Sequence, residues 1–426
     1  MNYDIAAGLD NTTLNAILSQ VYHKVYPSIF KDTLTVGTMG IASVGFDINV
    51  SPTANLNPSM EARNYFRDAL KNNTYGSTSG LGSDDTSTMI DLAAAASFGL
   101  VAPGVALTIN YTSGTPPTIV NASLNAVVNI QAITSSGNNL LTFQILSAVI
   151  SLSPPNPTLE ALLNSAVVPA FLIPYLNQNL LSPIQIPALK YGSLQVSLPV
   201  PVVNSPFVTA YSALGTTQPD IPPASQWPTN CVYIATDASA LQAAAAIPFP
   251  LGPSTGFSWE IISGTVGAQV LAPNPIVVNS DGSLSATIVA HALAQLTLHT
   301  PNGLPNVNFG PDAQASLSAT LKASVINGQL CLVIEGCPIP TFSFDWGIPS
   351  WINWLFYPLE AGLAAALNAI LGPLIGNILH LPPIPVYTIP TISFTLAGKT
   401  INITISQATT SSQNSFLVIS AQATVS

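Results

Sequence analysis

The sequence predicts an α+β protein of two pseudo-repeated modules, each a long kinked apolar helix wrapped by a strongly curved antiparallel β-sheet. Three observations carry this expectation. Two long apolar segments with internal prolines, LEALLNSAVVPAFLIPYLNQNLLSPIQIP from Leu159 and LEAGLAAALNAILGPLIGNILHLPPIP from Leu359, hold corresponding places in the two halves. Ahead of each runs a pair of alternating segments joined by a turn. Each half also opens on an aspartate followed by a helical run.

In chain order, Asp10 in IAAGLDNTTLNA and Asp237 in VYIATDASALQA are placed to cap a helix by accepting its orphan backbone N–H bonds. The first helix carries Leu14, Ile17, Leu18, Val21 and Val25 on one face. In the second half LQAAAAIPFPLGP stops early at Pro248. SLNAVVNIQAI, from Ser123, puts Leu124, Ala126, Val128, Ile130 and Ala132 on one strand face. SLSATLKASVI, from Ser316, does the same with Leu317, Ala319, Leu321, Ala323 and Val325. Turns at Ser136-Gly137-Asn138 and Asn327-Gly328 lead into LLTFQIL and QLCLVIE, so each pair reads as a hairpin. The long apolar helices follow. Pro169, Pro174 and Pro373 remove backbone bonds inside them and kink the axis. Each ends in a proline-bounded Ile motif, at Pro183–Pro187 and Pro383–Pro385.

Leu198 to Pro228 is rich in proline and reads as the connection between a first module at 1–197 and a second at 229–426. The first copy also holds an insertion, SMEARNYFRDALKNNTYGSTSGLGSDDTS, with three of the eight cationic residues.

The Leu359 segment is long enough to span a bilayer. Its partner contains Asn164, two prolines, Asn177, Gln178 and Asn179. It sits between strands, and no cationic flank orients it. It therefore reads as a core helix apolar on all sides, enclosed by its sheet, and no transmembrane segment is expected.

An early amphipathic helix, curved strands and a long apolar helix, repeated across a proline-rich connection, resemble the tubular lipid-binding (TULIP) superfamily. In two-module form they resemble the bactericidal/permeability-increasing proteins, and the TULIP-like accessory proteins of bacterial toxin gene clusters. The resemblance covers nearly the whole chain and rests on order and pattern. It implies a boomerang with an acyl-lipid slot between helices and sheet in each module. Leu14, Ile17, Leu18, Val21 and Val25 would line the first slot with Leu162, Leu163, Val167, Phe171 and Leu172. Leu241, Leu363, Leu367, Ile370, Leu371 and Leu374 would line the second. The implied function is non-enzymatic binding or transfer of a lipid or other apolar ligand. The alternative is a structural protein with closed modules, a partner in a secreted or toxin-associated assembly. Two departures stand out. This chain lacks the clustered cations with which the bactericidal members meet anionic lipid A. Its first module also has no cysteine, so the disulfide of the mammalian members is absent.

Composition narrows the partners. Charged residues are 6% of the chain and the net charge is −10, so nucleic acid and anionic bilayers lack the cation clusters they require. Cys231, Cys331 and Cys337 form no metal-ligand spacing, and buried free thiols are expected, with a Cys331–Cys337 disulfide the less favoured reading. His23 and His380 sit near helix ends, where a cation complements the dipole. His291 and His299 share one face of HALAQLTLH without a nearby carboxylate. Asp84, Asp85 and Asp91 read as a solvated acidic loop. No nucleophile–base pair stands out, so no catalytic residue, cofactor or metal is expected. The aromatic group Trp346, Trp351, Trp354, Phe356 and Tyr357 is expected to precede the second long helix as a lid on the core. The N-terminus MNYDIAAGLDNTT has neither a cationic nor an apolar signal region, so a cytoplasmic location is expected, with export requiring another route.

Overall fold

The computed structural model describes residues 3–57, 95–135, 138–179, 184–185, 194–217, 219, 226–301, 304–350, 353–379, 383–389 and 391–426. The insertion at 59–87, Asp91, Pro183, Pro187, Trp351 and His380 lie outside the described residues.

The structure is α+β and the two modules are present. Strand β1 (Ile5–Asp10) runs into helix α1 (Asn11–Val25). The Asp10 carboxylate accepts the Thr13 N–H at 3.2 Å, as the sequence leads one to expect. The first module's sheet is built from β2 (Lys31–Thr38), β3 (Ile41–Ile48), β4 (Thr53–Asn55), β5 (Ser97–Tyr111), β6 (Thr118–Ser135), β7 (Asn138–Ser153) and β8 (Ile184–Gln185). Its order is β2-β3-β5-β6-β7-β8, with β4 against β5, and every pairing is antiparallel. Register shifts between Ala102 and Val105 and between Val127 and Val128 bend these long strands, as bulges do. Leu124, Ala126, Val128 and Ile130 face the core, so the alternating pattern was a true guide to the buried side.

Helix α2 (Pro157–Asn179) follows β7. Asn156 caps it by accepting the Leu159 N–H at 3.2 Å, and Pro157 occupies the first turn, where a missing N–H costs nothing. From Leu163 to Leu172 the winding widens to a π-helix around Pro169. Such widened turns are rare and usually short.

The second module repeats the plan. Strand β11 (Val232–Thr236) enters α3 (Ala238–Ala245), capped by Asp237, which accepts the Ala240 N–H at 2.8 Å. Its sheet comprises β12 (Ser254–Trp259), β13 (Ile262–Val270), β14 (Ile276–Val278), β15 (Leu284–Leu298), β16 (Val307–Phe309), β17 (Asp312–Ile326), β18 (Gln329–Gly336) and β19 (Ile384–Thr388). The order is β12-β13-β15-β17-β18-β19, with β14 and β16 both on β15. Asn327 and Gly328, at φ +50° and +73°, make the two-residue β17–β18 turn that their dipeptide announces. Helix α4 (Asn353–Leu379) crosses this module.

A third sheet lies between the modules and has no counterpart in the sequence reading. Strands β9 (Val200–Asn204), β10 (Phe207–Ser212), β20 (Ile392–Leu396), β21 (Lys399–Gln413) and β22 (Phe416–Val425) join β1 and β11 in the order β20-β21-β22-β11-β1-β10-β9. The passage 198–228 therefore contains a hairpin of this sheet, turning at Asn204–Phe207. Strands β1 and β11 pair antiparallel with Ala7 opposite Ile234. The spacing that aligns the caps Asp10 and Asp237 also aligns Ala7 with Ile234, so a local two-fold axis passes between these two residues. Gly8 makes room beside it. A Cβ there would lie 2.3 Å from the Val208 carbonyl oxygen and 2.6 Å from the Tyr233 hydroxyl. The Tyr233 ring is buried, bonds Thr209 at 2.6 Å, and stacks on Trp227 with centroids 5.3 Å apart.

Two expectations about α4 are corrected. The helix is apolar throughout but not enclosed. Leu363, Leu367, Leu371, Ile375 and Leu379 form a buried stripe at four-residue intervals, while Ala361, Gly362, Ala365, Ala369 and Pro373 are exposed. From Ala361 to Pro373 the exposed positions carry small side chains or proline, so little apolar area meets water there and a one-sided wrapper suffices. Trp354, Phe356 and Tyr357 do not precede the helix. They form its first turn, with Phe356 packed on Phe309 and Trp346 while Trp354 and Tyr357 stand 67% and 77% exposed.

Candidate apolar binding site

In the first module the two helices and the sheet share one core. Val25, Leu163, Val167 and Leu172 are buried in it, and Leu14, Leu18, Val21, Leu162 and Phe171 pack half-buried against it. Ile17 is buried on the same helix. The α1 and α2 residues that the resemblance named therefore lie on the buried or half-buried sides of these helices.

Between α2 and the sheet lies a cavity of about 20 Å³. Its wall is entirely apolar: Leu34 from β2, Val44, Phe46 and Ile48 from β3, Val105 and Leu107 from β5, Leu124, Ile150, and Val167 and Leu172 from α2. Such a space is the volume of about one water and offers that water no partner, so it stays dry. An acyl chain needs far more room, in the range of about 300 Å³ for a small-molecule site.

Among the described residues, polar groups flank this interface on its two sides. On the β7 side, α2 is clamped by amides. Asn164 accepts the Ile150 N–H at 2.8 Å and donates to the Ile150 carbonyl at 2.8 Å. Asn177 does the same for Ile145 at 2.7 and 3.1 Å, and Glu160 accepts the Leu152 N–H at 2.9 Å. These side chains satisfy strand groups that β8, which reaches only Leu140 and Leu141, leaves open. On the β2 side, the Tyr175 hydroxyl donates to Asp32 at 2.7 Å. Burial, and then the hydrogen bond to Asp32, push the Tyr175 phenol up to about 12, so it remains a donor at every ordinary pH. Nearby, Lys31 pairs with Asp47 at 2.9 Å, and Tyr26 donates to the same carboxylate. The hydrogen bond to Asp47 raises both partners, the Tyr26 phenol and the Lys31 ammonium.

The second module differs. Leu363, Leu367 and Leu371 are buried together and Ile370 and Leu374 pack against them. Leu241 is not among them. It lies in a separate cluster between the central sheet and the second module's sheet, with Ile5, Leu284 and Leu330. The second slot as expected, with α3 facing α4, is therefore not formed. Helix α3 ends at Ala245, short of Pro248, and its buried Leu241, Ala244 and Ala245 all belong to that separate cluster. Asn368 on α4 clamps Phe342, accepting its N–H at 2.8 Å and donating to its carbonyl at 3.1 Å.

In the sequence Asn164 and Asn177 stood only as marks against a span and Asn368 not at all, although they carry a signal. The register that aligns Asn164 with Asn368 also aligns Pro169 with Pro373 and Val167 with Leu371, so an N-x-x-x-x-P spacing marks both helices. The LEA match that first related the two segments is set four residues away from this register.

Among the described residues no group of three His, Cys, Asp or Glu side chains is placed to hold a metal. His291 and His299 lie on the outward side of β15, and His299 bonds Ser263 at 2.7 Å. The three cysteines are free thiols, and burial raises each of them. Helices α2 and α4 are long and apolar enough to cross a membrane, though each packs one side against its own sheet.

No family model matches the chain, and no curated protein does. Among solved structures, a lipopolysaccharide binding protein aligns over 100% of this chain and 99% of its own at 12% identity, with a TM-score of 0.33. P47 of Clostridium botulinum E1 aligns over 99% of each chain at 8% identity, with a TM-score of 0.44. Both scores are too low for either likeness to carry weight on fold or ligand.

Proposed function

We propose that this chain is a non-enzymatic binder of an apolar ligand, of the tubular lipid-binding kind, that holds an acyl chain between α2 and the first module's sheet. One observation supports this most. The wall between helix and sheet is wholly apolar, incompletely filled, and flanked by polar groups on its two sides. Each methylene buried there contributes about 0.8 kcal/mol. Because the cavity is about 20 Å³, the ligand enters only as α2 moves off the sheet. That small volume also favours a second reading, a closed module serving as a structural partner in an assembly.

Mass spectrometry of the purified protein, native and after organic extraction, separates the two. The ligand reading expects reproducible lipid near one per chain, lost in Val167→Trp with folding intact by circular dichroism. Absence of lipid, even after incubation with mixed lipid extracts, leaves the assembly reading.

A further inference from the structure

Helix α2 closes the gap between the two margins of the first sheet, β7 on one side and β2 on the other, and its two attachments are unequal. Along β7 it is held at three residues. Asn164 and Asn177 each engage both backbone groups of one strand residue, and Glu160 takes a further N–H. On the β2 side, among the described residues, the hydrogen bond from α2 to the strand is Tyr175 to Asp32. The rest of that contact is apolar and includes the edge-to-face packing of Phe46 on Tyr175, with centroids 5.4 Å apart. The cavity lies behind it, with Leu34 of β2 and Leu172 of α2 in its wall. Between the clamps, the π-wound segment carries Pro169, which has no N–H to give.

We propose that α2 is a side gate. It pivots on the asparagine clamps along β7 and opens at β2, with the Tyr175–Asp32 hydrogen bond as its latch, to admit one acyl chain. This rests on the apolar-ligand reading above. Among the described residues, the charged groups at this mouth are Asp32 and the Lys31–Asp47 pair, a net negative set, so a ligand with an uncharged headgroup passes it better than a carboxylate.

The test uses the full chain and a fluorescent polyene ester, cis-parinaric acid methyl ester, with uptake followed by stopped flow. Tyr175→Phe keeps the ring and its packing but removes the latch. Uptake is expected to quicken roughly fivefold, the factor that corresponds to about 1 kcal/mol for one hydrogen bond, at unchanged stoichiometry. In parallel, amide exchange is expected to rise in β2 and stay unchanged at Ile145 to Leu152 in β7. Bound probe with neither rate nor β2 exchange altered overturns the gate and leaves the ligand reading standing. If wild type and variant both fail to take up the probe, the ligand reading falls. The gate for an acyl chain falls with it, and raised exchange in β2 then shows only that the Tyr175–Asp32 bond holds α2 to that strand.

Discussion

The two modules share a plan and differ in how far the first helix reaches. Helix α1 has 15 residues and α3 has 8. In the first module α1 joins α2 and the sheet in a single core, which also takes in Leu396 and Ile401 from the central sheet. In the second module the core is divided. Leu241 belongs to the part next to the central sheet, and Leu363, Leu367 and Leu371 belong to the part under α4. Phe249 touches both parts from just beyond the end of α3. The comparison teaches that a few turns of an early helix decide whether a module has one continuous apolar interior or two smaller ones. The apolar cavity of about 20 Å³ described above lies in the continuous one.

The largest test of this contrast is truncation in each core. Leu163→Ala and Leu367→Ala each remove a fully buried side chain and should cost about 2–5 kcal/mol in urea unfolding. Leu163→Ala should loosen amide exchange from α1 through the first sheet, whereas Leu367→Ala should spare the cluster around Leu241. Equal spread of both effects would show that the division is not physical. Next in size is Gly8→Ala at the two-fold axis. The added carbon meets a backbone carbonyl and a buried phenol, and overpacking of this kind costs about 1–3 kcal/mol. Thermal melting should show it, with a loss of near-ultraviolet signal from Tyr233 and Trp227.

The clamps come third. Asn164→Ala or Asn368→Ala leaves an N–H and a carbonyl without a partner, at about 1–3 kcal/mol if they stay buried. Similar losses would support the shared N-x-x-x-x-P register, while a loss in one helix alone would break it.

The smallest effects are at the caps, where the two modules titrate in opposite directions. Burial pushes the Asp10 carboxyl up, but hydrogen bonds from Thr13 and from the backbone N–H groups of Asn230, Thr13 and Thr12 outweigh it, and the group lies below its ordinary 3.8. Its contribution is present above that value and fades as pH falls through the lower folded value. Burial dominates at Asp237, whose carboxyl lies above 3.8 despite its bonds from Ala240 and Ser239. Its contribution is full below 3.8 and is lost as pH rises through the higher folded value. Asparagine caps helices as well as aspartate. Asp10→Asn should therefore lose stability at pH 7 relative to pH 3, and Asp237→Asn should gain it. Paired urea titrations at the two pH values check the signs.

Much of this arrangement was legible because it is local. Alternation identified the buried faces of β6 and β17, Asn327-Gly328 identified a turn, and aspartates before helical runs identified caps. What escaped depends on partners far along the chain. An alternating run says which side is buried but not which strand lies beside it, so the central sheet, with β1 between β10 and β11, left no mark. The polar margins of the site were hidden for the same reason. Asn177 in an apolar helix reads as a blemish until Ile145 is known to lie beneath it. Leu241 was set beside α4 by the resemblance and not by any spacing of its own, and it lies instead with Ile5, Leu284 and Leu330.

The local two-fold axis has a consequence for synthesis. Strand β11 needs β22 as its second neighbour, and β22 begins about 180 residues further along the chain, at Phe416 against Thr236. At about 5–20 residues per second, β11 therefore waits roughly 10–40 s with one edge open. For that interval Tyr233 and Ala235 lack the cover that Phe416 and Val418 later provide. A nascent chain paused before Phe416 should be the form that chaperones hold and that sticks to its neighbours, and emergence of β22 through Val425 should end both behaviours at once.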